Sequence, residues 1–434
     1  MIRFYKGKRL ARKVHGAGGS SMRLKVIAAV LAVLLGSLGC GKVAIGEPIK
    51  VGVLFSMSGA MAPIETSVKD ATLMAIEEIN ARGGLLGRRI QPVIADGRSD
   101  WATFSAEAER LITKEKVCVV FGGWTSESRK ALKPLFEKYN HLLIYPVQYE
   151  GLEQSPNIIY TGAAPNQQIL PAVKWCFDKG WKRLFLVGSD YLFSHAAHEI
   201  IKAQANALGG EIVGEDYLLP GTKDVAGVIQ NIFNSKPDVI LNTLTGDTNA
   251  AFFTELRRAG VTPDRLPTLS FSLGEQELTG MDPKTVAGNY GSRNYFQSIA
   301  SEENKVFVAA FKKKYGANRV IDDPVEAGYV GVYLWAQAVE DAATEDVNAV
   351  RKTIQGQSFS APEGIVYVDP GTQHTWKTVR IGVIKEDGQF SIVWTSGKPV
   401  RPVPYPLSKL KAEWEKFMED LYQSWGQKWA NPRR

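Results

Sequence analysis

Phe121 to Gln168 holds the densest set of groups that could bind a small polar molecule: FGGWTSESRK, an amphipathic stretch, then HLLIYPVQYEGLEQSPNIIYTGAAPNQQ. A β-like run, Lys116 to Phe121, empties into a Gly-Gly turn, and Trp124, Thr125 and Ser126 follow where a helix would begin. The first N–H groups of a helix lack partners within it, so such a corner suits a carbonyl or carboxylate. A second run, His141 to Tyr145, ends at Pro146 and brings Tyr145, Gln148 and Tyr149 to a neighbouring strand terminus. Open α/β sheets bind their ligands at such termini. Covalent chemistry is not suggested: the sequence has no GxSxG elbow, Cys118 lies in an apolar run, and the 5 histidines are scattered. His195 and His198 read as a solvated helix face, and Asp190 as a helix cap or turn. Cys118 and Cys176 read as buried free thiols.

These loops need elements to hold them. Ile49, Val51, Val53 and Phe55 alternate as a strand; Val68, Ala71, Ala75 and Ile79 recur at helical spacing and end at Gly83-Gly84. The same unit repeats at Ile90 to Ala95 with a helix near Ala102 to Thr113, and at Val117 to Phe121 with Ser126 to Tyr139. Repeated strand–helix units imply a parallel sheet with helices on both faces. A second series follows Thr161 to Pro165, with strands at Arg183 to Val187, Glu211 to Tyr217, Asp238 to Asn242 and Thr268 to Phe271. Two such series imply two lobes. Leu407 to Trp425 reads as a terminal helix of illegible role.

GGWTSESRK, YPVQYEG, SPNIIYTGAAPNQQ, GSDYLF, NTLTGDTNAAFF, NYFQS, DPVEAGYVGVYLW and APEGIVYVDPGTQHTWK stand in this order along the chain. The set resembles the substrate-binding proteins of ABC transporters for urea and short-chain amides, over Ile49 to about Pro404. These belong to the larger branched-chain amino-acid binding group. The resemblance implies an α/β, two-lobed type I periplasmic-binding-protein fold. Lobe 1 would comprise 48–164 and 294–357, lobe 2 would comprise 165–293 and 358–404, and 405–434 would be a C-terminal helix and tail. The chain would cross between lobes near Ala164, Arg293 and Gln357, forming a hinge.

Carried over position by position, the resemblance implies a ligand site at Trp124, Ser126, Tyr145 and Gln148 on one lobe. The other lobe would add Tyr191, Thr245, Gly246, Asp247 and Ser272. The ligand would be urea, formamide or acetamide, with no metal or cofactor, and the partner an ABC permease. A branched-chain amino acid stays open as the alternative, with Asp247 or Glu275 to meet its ammonium; an amide sensor and an amidohydrolase are weaker readings. Ser194-His195 stands where the urea proteins commonly have Pro-Arg, and LLPGTKDV, SFSLGEQE and Gly291-Ser292-Arg293 also depart from their pattern.

The 434 residues carry a formal net charge of +7, but eight basic residues lie between Arg3 and Lys25, ahead of any acidic one. Without them 44 basic residues face 45 acidic ones, which removes the case for nucleic-acid binding. Arg23, Lys25 and the apolar run Val26 to Gly36 match a signal peptide over residues 1–40 and are too short to span a bilayer. Ser37-Leu38-Gly39-Cys40 resembles a lipobox, with Cys40 the lipid attachment site, and Ala44-Ile45-Gly46 offers a competing cleavage site for a soluble form. Translation starting at Met22 would serve export equally. The expected location is the periplasm or the outer face of the cytoplasmic membrane, held there by the lipid anchor.

Overall fold

The computed structural model describes residues 46–431. The signal-peptide and lipobox expectations, Cys40 included, lie outside them. Lobe 1 begins with β1 (Ile49–Phe55), α1 (Ala62–Ala81), β2 (Ile90–Asp96), α2 (Trp101–Thr113), β3 (Val120–Gly122), α3 (Ser126–Lys138), β4 (Leu143–Tyr145) and β5 (Ile158–Tyr160). Its five strands form a parallel sheet in the order β2-β1-β3-β4-β5. Alternation along β1 sends Val51, Val53 and Phe55 into one apolar core and Leu54 into another, on the opposite face.

Lobe 2 contains α4 (Ile169–Asp178), β6 (Arg183–Ser189), α5 (Leu192–Ala207), β7 (Glu211–Leu218), α6 (Ala226–Ser235), β8 (Val239–Thr243), α7 (Asp247–Arg258), β9 (Thr268–Ser270) and β10 (Tyr290–Arg293). After β10 come α8 (Glu302–Tyr315), α9 (Asp323–Ala342) and α10 (Val347–Thr353), then β11 (Ser358–Ala361), β12 (Gly364–Val368), β13 (Thr375–Trp376), β14 (Arg380–Ile384), β15 (Phe390–Thr395) and α11 (Lys411–Ser424). The second sheet runs β15-β14-β10-β9-β8-β6-β7, with every strand in one direction except β14, which is antiparallel to both its neighbours. Leu184 and Leu186 of β6 face one core of this lobe, and Phe185 and Val187 the other.

The return to lobe 2 comes later than the sequence pattern suggests. β11, β12 and β13 form a separate sheet, and Ala361, Val366 and Val368 pack with Trp335 and Ile354 in the lobe 1 core. His374 pairs beside Tyr160, so the chain rejoins lobe 2 only at β14. The boundary at 357–358 and the assignment of Gly364–Val368 to lobe 2 are therefore corrected. An alternating run reports one buried face, not which core covers it.

The crossing segments are tied to one another by polar side chains. Gln167 Nε2 donates to Thr375 O at 2.8 Å, Asn294 Nδ2 to Gln167 O at 2.9 Å, and Lys377 Nζ to Thr161 O at 2.9 Å. Lys377 also pairs with Glu363 at 2.7 Å, and both are buried. Burial opposes its charge, but Glu363, Asp323 and Glu326 outweigh that and raise the Lys377 pKa.

α11 belongs to the lobe 2 core. Trp414 and Met418 are buried beside Val173 and Ala197, and Trp414 Nε1 donates to Pro406 O at 2.8 Å. Removing this ring leaves a cavity that rigid neighbours cannot fill. Trp414→Ala should lower stability by about 3–5 kcal/mol, read as a shifted midpoint in urea or guanidinium denaturation; a shift under about 1 kcal/mol would mean that α11 is not part of the core.

Candidate functional site

The Gly122-Gly123 turn brings the start of α3 close to the sheet. A Cβ on Gly122 would lie 2.1 Å from Leu54 O, and Gly123 has φ +84°, a conformation costly for any side chain. Thr125 caps α3 by accepting from Ser128 N at 3.1 Å, and Trp124 N donates to Ser128 Oγ at 3.2 Å. Trp124, Thr125 and Ser126 thereby edge a cleft of about 520 Å³ between the two lobes.

Beneath this turn lies an ion cluster. Arg129 is fully buried and donates from Nη2 to Glu150 Oε1 at 2.5 Å and from Nε to Glu153 Oε1 at 3.0 Å. Ser126 Oγ donates to Glu150 Oε2 at 2.6 Å, and Lys130 pairs with Glu153 at 2.7 Å. Burial disfavours every one of these charges. For Glu153 the Lys130 and Arg129 charges outweigh it and hold the carboxyl well below its ordinary range. For Arg129 the carboxylates keep the guanidinium charged.

Trp124, Ser126, Gln148, Tyr191, Thr245, Gly246 and Ser272 all line the cleft. Tyr145 does not: it is fully buried, its hydroxyl donating to Trp124 O at 2.6 Å and its ring beneath Arg129 at 5.4 Å. It supports the wall from behind. Asp247 begins α7 with an exposed side chain and is not part of the lining. Glu275 is buried and accepts from Gln297 N, also outside the cleft.

Sequence reasoning missed the polar lining residues Glu65, Asp100, Glu127, Glu277, Lys428 and Asn431. Glu65 stands in the first turn of α1, a conspicuous acid ahead of an apolar helical face, and this was its only signal in the sequence. Its Oε2 accepts from Ser56 N at 2.6 Å, while Oε1 is buried without a partner. Burial pushes the Glu65 pKa up to about 7. Gln148 Oε1 is likewise a buried acceptor without a partner.

Two of the cleft hydroxyls, those of Ser126 and Ser272, share one polarity. Ser126 spends its proton on Glu150, and Ser272 spends its own on Leu244 O. Neither partner atom has a proton to return, so toward the cleft both serines offer lone pairs. Together with Gln148 Oε1 they form an acceptor-rich site, which Glu65 joins as a pure acceptor only once it is ionised.

Among the described residues no group of His, Cys, Asp and Glu could hold a metal ion, and no helix is long and apolar enough to cross a membrane. His198 is not on a solvated face: it is buried, with Nε2 at 3.0 Å from Thr243 Oγ1 and Nδ1 at 3.1 Å from Glu215, and burial lowers its pKa. Both cysteines are free, but Cys118 precedes β3 and is only partly covered.

The sequence pattern described as "Periplasmic binding protein domain" matches residues 49–411, and the chain belongs to that family, whose members bind rather than transform their ligands. It is 24% identical over 359 residues to Leu/Ile/Val-binding protein homolog 6 of Brucella suis, covering 80% of this chain and 90% of that protein. A stretch of 153 residues is 30% identical to limonene hydroxylase of Geobacillus stearothermophilus. That match covers only 35% of this chain and 28% of that protein, too little to carry its activity. The amino-acid ABC transporter substrate-binding protein of Pseudomonas fluorescens Pf-5 superposes with a TM-score of 0.73 at 20% identity, covering 83% of this chain and 98% of that one. This likeness confirms the type I periplasmic-binding-protein fold.

Two measurements probe the site's construction. Arg129→Ala leaves Glu150 and Glu153 buried without their main partner, and should destabilise the protein by about 3–5 kcal/mol in chemical denaturation. For Glu65 the folded pKa of about 7 exceeds the ordinary carboxyl value of 4.5, so between these values the folded state binds more protons. Its contribution to stability is therefore full below about pH 4.5 and lost as pH rises through about 7. Glu65→Gln should flatten that part of the melting-temperature profile between pH 5 and 8 and stabilise the protein at pH 8 by about 1–3 kcal/mol.

Proposed function

We propose that this protein captures urea or a short-chain amide in the interlobe cleft and delivers it to an ABC permease. The observation that carries this reading is the convergence of acceptors from Ser126 and Gln148 on one lobe and Ser272 on the other. A solute pairing them must be rich in N–H donors. Urea has two NH₂ groups directed apart, suited to acceptors on opposite walls, and its carbonyl suits the N-terminal turn of α3. Trp124 and Tyr191 give flat walls for a planar molecule. The motif resemblance over the mature chain supports the same class. Membrane tethering through Cys40 is part of this proposal and follows from the lipobox alone.

A second reading has its own support. The cleft's 520 Å³ exceeds what four heavy atoms fill, and its lining carries the carboxyls of Glu65, Asp100, Glu127 and Glu277. An amino acid would use the volume for its side chain and an acid for its ammonium, consistent with the naming of the Brucella relative. For urea the lobes must close further, because small ligands gain at most about 1.5 kcal/mol per heavy atom.

Calorimetric titration with urea, formamide, acetamide and leucine separates the two. Amide binding in the micromolar range with no heat from leucine is expected; leucine binding without amide binding would overturn the amide reading. Gln148→Ala should weaken amide binding about 5- to 100-fold by leaving a ligand N–H unpaired, and an unchanged affinity would remove Gln148 from the site.

A further inference from the structure

The segment after α11 does not run off the surface. Trp425 is buried in the lobe 2 core, edge-on to His195 at 5.1 Å. Gly426 and Gln427 then both take positive φ, +65° and +60°, and Gln427 N donates to Tyr422 O at 2.9 Å. Two successive left-handed residues turn the chain sharply at the helix end. The turn sends it back to the cleft, where Lys428, Ala430 and Asn431 join the lining.

Its attachment is unequal on the two sides. On lobe 2, Ala430 forms an antiparallel bridge with Tyr191, Asn431 Nδ2 donates to Asp190 Oδ2 at 2.6 Å, and Trp429 packs on Tyr422 with ring centroids 4.5 Å apart. On lobe 1, Lys130 Nζ lies 4.8 Å above the Trp429 ring. Lys130 comes from α3, the helix whose first turn edges the cleft, and is held from behind by Glu153. A cation–π contact at a partly exposed site is a weak one. The segment is therefore anchored on lobe 2, and its Trp429 touches lobe 1 through a charge-dependent contact.

We propose that Gly426–Asn431 forms a strap across the cleft, a third wall that limits ligand size and latches to lobe 1 through Trp429 and Lys130. Lys428 is the single cationic side chain in the lining of described residues, facing Glu65, Asp100, Glu127 and Glu277 across the cleft. Its loss makes that lining wholly acidic. The inference rests on the cleft being the ligand site, and is independent of which solute fills it.

The test compares the parent with Trp429→Ala and with a chain truncated after Gly426, which keeps Trp414, Met418 and Trp425 in the core. Affinities are measured for a series from acetamide to pentanamide and for one from alanine to phenylalanine. In whichever series the parent binds, truncation should shift selectivity at least tenfold toward the longer member, with Trp429→Ala shifting it less in the same direction. An unchanged ratio, or an equal loss for every member, overturns size selection by the strap. In ligand-free protein, hydrogen exchange at Ser126–Lys130 should rise in both variants, and unchanged exchange there overturns the latch. If the parent binds neither series nor urea, the proposed function fails while the exchange result still decides the strap.

Discussion

A buried guanidinium between two buried carboxylates holds the binding edge of lobe 1 in place. Arg129, Glu150 and Glu153 are all removed from water, and ions so placed are tolerated only when they satisfy one another closely. Their geometry ties the first turn of α3 to the loop after β4: Ser126 is bound to Glu150, and Tyr160 donates to Glu153 at 3.0 Å. Tyr149 and Tyr160 stack at 5.1 Å, with Arg129 4.5 Å above the Tyr149 ring. This is why SESRK and QYEGLEQSP occur together. One segment supplies the cation and the other its counter-ions, and neither could be buried alone.

The cluster also sets what the cleft asks of a ligand. By taking the proton of Ser126, Glu150 turns a hydroxyl that could donate or accept into an acceptor, and Leu244 O does the same to Ser272 from the other lobe. Polarity is thus written by groups behind the wall. An amide N–H entering here meets oriented lone pairs that need no reorganisation, whereas a ligand presenting only carbonyls would leave them unpaired at about 1–3 kcal/mol each.

Much of this was legible in the sequence because it is periodic or local. The alternation of Val51, Val53 and Phe55 and the Gly-Gly turn before Trp124 carry the sheet and its binding corner. Which face a residue at a strand end adopts is not local. Tyr145 ends β4 as expected, but the strand's alternation turns it to the Arg129 side, and nothing near it in sequence reports that. His198 is covered because Glu215 and Thr243 come from β7 and β8, remote in sequence. The same holds for β11 and β12, whose alternation fits either core, and for Lys428 to Asn431, which have no period and reach the cleft only because α11 docks beside α5.

Ligand size constrains how tightly the lobes can be held before binding. Four heavy atoms supply at most about 6 kcal/mol, and closing an equilibrium from mostly open to mostly closed takes about 5.5 kcal/mol of differential affinity. A urea-sized solute can therefore drive closure only if the ligand-free protein lies within a few kcal/mol of the closed state. The crossing segments are held by hydrogen bonds made within the hinge itself, from Gln167 to Thr375 O, from Asn294 to Gln167 O and from Lys377 to Thr161 O. Contacts that span the open cleft must in turn be weak. The cation–π contact of Lys130 on Trp429 meets that requirement, where a buried ion pair would hold the lobes in one position regardless of ligand.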